Sequence, residues 1–260
     1  MEYSRYGLAV KIIREAAKII SPHDASQIEF EEKSGHSDIV SPYDKRIEAY
    51  LSGEILAAFP SDGIIGEEMG HPERGDWIWY VDPIDGTTNF VNQRKNYAIS
   101  LGCYHDGRPA FGVVYDVAEN RMYHARVGQG AFCNDIRLEC GKRTALDEML
   151  LYTPIIQATL IDAHPLRGSM RRLARDVRAV RSLGSVALEL CTLAAGEADL
   201  FIAECSYPWD HNAARIILEE SGGEIRTWKN GTLPLDVKSS VIAASQKSVL
   251  DKVITKYWTD

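Results

Sequence analysis

Five cysteines in 260 residues are too few and too scattered to frame a fold. Cys103, Cys133, Cys140, Cys191 and Cys205 contain no Cys-x-x-Cys pair and are odd in number, which argues against a zinc site and a disulfide framework. All five are expected to be small buried hydrophobes in a reducing compartment. Positive charge is also scarce: 29 Lys and Arg against 37 Asp and Glu leave a net charge of −8. Such a chain lacks the broad basic surface that a nucleic-acid polymer requires. No apolar run approaches the ~20 residues that cross a bilayer. The opening segment carries Glu2, Arg5, Lys11, Arg14, Glu15 and Lys18 among its apolar residues, so it has no signal-peptide core. The expectation is a cytoplasmic protein with no membrane partner. Repeats, low-complexity stretches and Gly/Ser-rich linkers are missing too, which points to one tightly packed unit.

What is present is ordinary for a globular enzyme: 45% hydrophobic and 25% charged residues. Leu8, Ile12, Ala16 and Ile19 fall at helical spacing and predict a first helix that Ser21-Pro22 ends. Glu29–Ser37 is polar and reads as a mobile loop or hairpin. Ser41 is a natural N-cap, Pro42 suits the first helical position, and Asp44 sits in the first turn of a second helix. Short strands are predicted at 63–66, 77–81, 97–104, 110–115, 121–125 and 131–133, as a mainly antiparallel sheet. Beyond residue 146 the pattern alternates. Strands are predicted at 150–153, 178–181, 200–203, 223–226 and 241–244, and helices at 166–175, 185–195, 211–220 and 247–258. The fold class is mixed α/β, with an N-terminal helix-and-sheet lobe over residues 1–146 and a C-terminal α/β lobe over 147–260.

Carboxylates gather beside glycines and turns in a few places: Gly66-Glu67-Glu68, Trp209-Asp210, Asp38…Asp44, and the run Asp82-Pro83-Ile84-Asp85-Gly86-Thr87-Thr88-Asn89-Phe90. In the last, Asp82 is expected at the end of a buried strand, where Pro83 forbids simple continuation. Asp85-Gly86-Thr87-Thr88 reads as the start of a short helix whose amides suit an anion. Taken singly, each carboxylate also has an ordinary role: Asp44 as a first-turn charge, Asp210 as an N-cap of a helix from His211, Asp-Gly as a turn.

The nine-residue run resembles the signature of the inositol monophosphatase superfamily, which includes fructose-1,6-bisphosphatases and nucleotide 3′-phosphatases. Gly66-Glu67-Glu68 upstream, and Trp209-Asp210 followed by Ala213-Ala214 downstream, match its other motifs in order and in similar spacing. The resemblance implies a layered αβαβα sugar-phosphatase fold, usually a homodimer. It implies hydrolysis of a phosphate monoester on a small polyol or sugar by water activated at Mg²⁺, with two or three ions and Mn²⁺ as a substitute. Glu67, Asp82 and the Ile84 carbonyl would bind one ion. Asp82, Asp85 and Asp210 would bind a second, and Glu67 would share a third with Glu68 beside it. Asp44 and Thr87 would orient and deprotonate the water. Gly86, Thr87 and Thr88 would hold the phosphate. The chemistry agrees, because an all-oxygen donor set favours Mg²⁺ or Mn²⁺ over Zn²⁺.

The same resemblance places Gly184-Ser185 against the polyol and Lys33 in a loop over the site. One position departs from it. Many inositol-specific members have an acidic residue seven positions before the C-terminal Asp, whereas this chain has Ala203 there and Glu204 next to it. Arg167, Arg171, Arg172, Arg175 and Arg178 form either a cradle for a second phosphate or a solvated helix face. Arg94 and Lys95 are a second anion candidate. Two rival readings remain. Nucleotide 3′-phosphatases more often carry Lys-Glu where Thr88-Asn89 stands, and a non-catalytic homologue would have lost a ligand or the water-activating pair.

Overall fold

The computed structural model describes residues 4–20, 28–36, 38–70, 75–154 and 167–258. Its elements stack as helix, sheet, helix, sheet, helix. Helices α1 (Arg5–Ala17) and α2 (Pro42–Ala58) form the first layer. Leu8, Ile12 and Ile13 of α1 and Ile47, Leu51 and Ile55 of α2 are buried at the anticipated spacing. Ser41 caps α2 as its sequence suggests. The proposed stop of α1, Ser21-Pro22, lies outside the described residues. The polar stretch before α2 forms an antiparallel hairpin of β1 (Glu31–Gly35) and β2 (Asp38–Val40).

The second layer is a seven-stranded sheet in sequential order: β3 (Gly63–Gly66), β4 (Trp77–Asp85), β5 (Ala98–His105), β6 (Arg108–Asp116), β7 (Arg121–Arg126), β8 (Gly130–Cys133) and β9 (Ile136–Arg137). β3 lies parallel to β4, and the remaining neighbours are antiparallel. The period of two decides what faces what. Trp79, Val81, Ile99, Leu101 and Cys103 pack beneath α1 and α2, while Tyr80, Ala98 and Tyr104 point to the layer behind. A short helix, α3 (Thr87–Gln93), follows β4 directly.

Behind the sheet lie α5 (Val186–Ala194) and α6 (Pro208–Glu220). A five-stranded sheet comes next, ordered β11 (Ala179–Arg181), β10 (Leu150–Tyr152), β12 (Leu200–Ser206), β14 (Ser239–Ala244), β13 (Glu224–Arg226). Helices α4 (Arg167–Asp176) and α7 (Lys247–Tyr257) close the outer face. The five layers bear out the mixed α/β expectation.

Two glycines set how closely α6 approaches the large sheet. A Cβ on Gly112 would stand 2.2 Å from the Ala213 carbonyl oxygen, and one on Gly102 would stand 3.0 Å from the Ala213 nitrogen. Side chains there would push α6 outward and carry Asp210, one turn earlier, away from β4.

Three expectations need correction. β4 does not stop at Asp82. It continues through Pro83 to Asp85 across a bulge, where Asp82 faces Ser100 and Asp85 faces Ala98. A bulge releases one residue from the ladder, so a proline without an N–H is tolerated there. Asp210 is not the N-cap of its helix, because α6 starts at Pro208 and Asp210 sits in its first turn. Cys205 is exposed while the other four cysteines are buried and free. It lies on β12 where the register shifts between Ala203 and Ser206.

One half-buried ion pair anchors the first layer to the sheet. Asp62, with 1% of its side chain exposed, accepts from the Arg5 Nε–H and Nη2–H, each at 2.7 Å, and from the Trp79 indole N–H at 2.8 Å. The Arg5 guanidinium lies between the Phe59 and Trp77 rings, 4.2 and 4.3 Å from their centroids. Asp62→Ala leaves a partly exposed cation and a buried indole N–H without acceptors, an expected loss of ~2 kcal/mol. Urea denaturation would check this, and a change under about 1 kcal/mol would refute it.

Candidate active site

Carboxylates from four segments lie within electrostatic reach of Asp82 near the end of β4. Asp44 comes from the first turn of α2, where the capping box fixes it: its Oδ2 accepts from the Ser41 N–H at 2.8 Å and the Ser41 hydroxyl at 2.6 Å. Its Oδ1 lies 3.0 Å from Thr87 Oγ1 at the start of α3. The same hydroxyl lies 3.0 Å from the Ile84 carbonyl, so its single proton has two candidate acceptors. The β4 bulge presents Asp82 and Asp85, both buried. Asp82 Oδ1 is buried without a hydrogen-bond partner.

Asp85 points at the start of α5. Its Oδ2 accepts from the Ser185 hydroxyl and the Ala187 N–H, both at 2.6 Å, and Oδ1 from the Val186 N–H at 3.3 Å. The Ser185 hydroxyl is thus already engaged by Asp85. Asp210 accepts from the Tyr207 N–H at 2.8 Å and the Ser206 hydroxyl at 3.2 Å. Its neighbour His211 is fully buried and held neutral, pushed down to about 3 by burial and by nearby Arg215. Glu67 and Glu68 follow β3, and Lys33 of the hairpin reaches both, at 2.9 Å to Glu67 Oε1 and closer to Glu68.

Glycines allow the loops to meet. Gly86 has φ 91° and caps α3, and a Cβ there would stand 3.0 Å from the Asn96 carbonyl and 3.1 Å from the Gly184 carbonyl. Gly184 has φ 78° and packs on Asn89. Asn89 belongs to the nine-residue run but received no role from it. Its Nδ2 donates to the carbonyls of Leu183 at 2.6 Å and Asn96 at 2.9 Å, tying the two loops together.

Thr88 is exposed on α3. Glu204 is exposed on β12, and Ala203 beside it is fully buried. Arg171, Arg172 and Arg175 are exposed on α4 in the outermost layer, with Arg178 just past its end. Arg94 caps α3 in a left-handed conformation and lies over the Phe90 ring.

The electrostatics of the cluster are unfavourable as it stands. Burial raises Asp82 well above the usual carboxylate range, and Glu67, Asp85, Asp210 and Asp44 raise it further. Burial does the same to Asp210, with Asp85 and Glu67 adding to it. Burial lifts Glu67 to about 7 against the pull of Lys33, and Asp85 to about 6 against the donors of α5. Among the described residues no three His, Cys, Asp or Glu side chains close around a single point, since most are turned to protein donors. Even so, the donors suit a hard divalent cation. They are all oxygens, one is buried with no partner, and their like charges call for a counter-charge.

These raised values predict an unusual pH dependence. Between the unfolded carboxylate pKa near 4 and the folded values, the folded chain holds more protons than the unfolded one. In chelator, the contribution of Glu67 to stability therefore falls as pH rises toward about 7, and that of Asp85 as it rises toward about 6. The melting temperature in EDTA should be higher near pH ~5.5 than near pH ~8, and a divalent cation should narrow the gap. A chelated protein that melts higher at the alkaline end would contradict this.

The match to known proteins is broad. The family model "Inositol monophosphatase family" matches residues 3–259. The chain belongs to the inositol monophosphatase family. It is 36% identical over 247 residues to an inositol-1-monophosphatase of Bacillus subtilis, covering 92% of this chain and 91% of that one. It is 34% identical over 222 residues to a fructose-1,6-bisphosphatase/inositol-1-monophosphatase of Thermotoga maritima, covering 85% and 84%. Among solved structures, inositol monophosphatase II of Staphylococcus aureus superposes with a TM-score of 0.84 at 30% identity, covering 97% and 92%. As a member of this metal-dependent family the chain is a phosphatase acting on phosphate monoesters. No described helix is long and apolar enough to cross a membrane.

Proposed function

We propose that the chain hydrolyses a phosphate monoester of a small polyol or sugar in a Mg²⁺-dependent reaction, with inositol monophosphate and fructose 1,6-bisphosphate as candidate substrates. The observation that carries this reading is the Asp44–Thr87 pair, with Asp82, buried and with one oxygen unpartnered, within electrostatic reach of Asp44. Glu67, Asp82 and the Ile84 carbonyl would hold one cation. Asp82, Asp85 and Asp210 would hold a second, and Glu67 with Glu68 a weaker third. Bound cations neutralise phosphate charge and lower the pKa of water, and Mn²⁺ can replace Mg²⁺ in such a donor set.

The protein's own groups do the rest. Thr87 Oγ1 orients the attacking water and relays its proton to Asp44, whose other oxygen is fixed by Ser41. The amides of Gly86, Thr87 and Thr88 hold phosphate oxygens. Ser185 acts through Asp85, while the Gly184 backbone, Glu204 and Lys33 belong to the substrate side. Residues 1–146 and 147–260 form two lobes around this centre, in a cytoplasmic homodimer.

The test is phosphate release with Mg²⁺ from inositol 1-phosphate, fructose 1,6-bisphosphate and 3′-phosphoadenosine 5′-phosphate, each with an EDTA control. Metal-dependent turnover of either of the first two supports the reading. Turnover of the third alone replaces the substrate class. Full activity in EDTA removes the metal mechanism.

A further inference from the structure

We infer that two buried glutamates outside the carboxylate cluster, Glu48 and Glu189, are positioning residues, given the metal and substrate assignments proposed above. Glu48 holds the loop that carries Glu67, and Glu189 holds the loop that carries Gly184. Each carboxylate binds two consecutive backbone amides, and each does so in a different way.

Glu48 lies one turn after Asp44 on α2 and is fully buried. Its Oε2 accepts from the Glu68 N–H and its Oε1 from the Met69 N–H, each at 2.8 Å. The loop makes room for it, since a Cβ on Gly66 would stand 2.2 Å from Oε1. One face of α2 therefore presents two carboxylates with separate tasks. Asp44 meets Thr87, and Glu48 fixes the backbone on either side of the Glu68 side chain, next to Glu67. The position of Glu67 depends on that backbone staying in place.

Glu189 lies in the first turn of α5 and is 1% exposed. A single oxygen, Oε1, accepts from the Leu183 N–H at 2.5 Å, the Gly184 N–H at 3.2 Å and the Ser182 hydroxyl at 3.4 Å. The other oxygen, Oε2, is buried and has no partner. Asn89 grips the same turn through the Leu183 carbonyl. The left-handed Gly184 is thus clamped between α5 and α3.

The difference in oxygen use separates these roles from plain structural support. Both oxygens of Glu48 are needed, so Glu48→Gln sets an amide N–H against a backbone N–H and loosens the loop. Only one oxygen of Glu189 is needed, so Glu189→Gln keeps the grip and Glu189→Leu loses it. The experiment measures thermal melting against Mg²⁺ concentration, with no substrate present. It also measures KM and kcat at saturating Mg²⁺, on whichever candidate substrate the wild type turns over.

Glu48→Gln should raise the Mg²⁺ midpoint of the melting shift by ~10–100-fold, with substrate KM near the wild-type value. Glu189→Leu should raise substrate KM by about tenfold or more and leave the Mg²⁺ midpoint in place. Glu189→Gln should bring KM back. Variants that only melt lower, with midpoint and KM unmoved, overturn the inference, as does a Glu189→Gln indistinguishable from Glu189→Leu. Should Glu48→Gln fail to fold, Gly66→Ala probes the same contact from the loop side, because its methyl displaces the Glu48 carboxylate. A wild-type midpoint in that variant overturns the role of Glu48. A wild type whose melting ignores Mg²⁺ removes the metal reading itself, and a wild type that responds leaves the failure of a variant to count against the positioning roles alone.

Discussion

Asp82→Asn should produce a protein that melts higher than the parent in EDTA and has lost at least ~10³-fold in kcat/KM, about 4 kcal/mol of transition-state stabilisation. The two effects share one cause. Asp82 is buried, one of its oxygens has no partner, and the charges of Glu67, Asp85, Asp210 and Asp44 all disfavour its ionised form. Where the pH leaves Asp82 ionised, an uncharged amide relieves that repulsion. In a domain of this size each kcal/mol of relief is worth roughly 2–4 °C. The repulsion is also what a divalent cation would offset, and Asp82 is the one side chain assigned to both principal ion positions. The variant should therefore gain stability in chelator and lose the stabilisation that Mg²⁺ gives the parent, a trade expected where a site is strained for function. Melting curves with and without Mg²⁺, set beside phosphate release, decide the matter. A variant that melts lower in EDTA and still responds to Mg²⁺ would show that Asp82 is a structural acid.

Most of the scaffold was legible because its signals are local. Trp79-Tyr80-Val81 alternates between two cores, and Leu200-Phe201-Ile202-Ala203 does the same on the second sheet. Ser41-Pro42 announces α2 by capping chemistry alone. The missing pieces depend on tertiary context. Pro83 reads as a strand breaker, but the bulge opposite Ser100 and Ala98 absorbs it. The same bulge lets Asp82 and Asp85, three residues apart, share one centre. Asp210 falls in the first turn rather than at the N-cap because Pro208-Trp209 joins the helix. That places its carboxylate on the N–H of the cap residue, Tyr207.

The carboxylate centre itself was legible as a motif, and its support was not. Glu48 and Glu189 look like ordinary helix glutamates, a residue type that normally faces water. The available hint for Glu48 was its i+4 spacing from Asp44 along a helix whose Ile47 and Leu51 are buried. For Glu189 the hint was its place in the strongly apolar run Val186-Ala187-Leu188-Glu189-Leu190. Asn89 lay in plain view inside the nine-residue run. Its partners Leu183 and Asn96 are brought to it by the fold, so no spacing rule could assign them.

Asp44→Asn should fold, keep the Mg²⁺-dependent rise in melting temperature, and lose ~10²–10⁴-fold in kcat. The hydrogen bonds dictate how. In the parent, Oδ2 receives two donors from Ser41, so the acceptor end of the asparagine must take that place. Its NH₂ group then faces Thr87 Oγ1, which lies 3.0 Å from Oδ1 in the parent. The direction of that hydrogen bond reverses. Thr87 becomes an acceptor from residue 44, and its own proton turns to the Ile84 carbonyl, also at 3.0 Å. A hydroxyl held this way cannot pass a proton from water to residue 44. The cap on α2 survives, because Ser41 still finds its acceptor, so the fold and the proposed ion ligands are left in place. Kinetics at saturating Mg²⁺, paired with melting curves over the same Mg²⁺ range, separate proton transfer from ion binding. Wild-type kcat in the variant would remove Asp44 as the base. A lost Mg²⁺ response would place Asp44 among the groups that hold the cation.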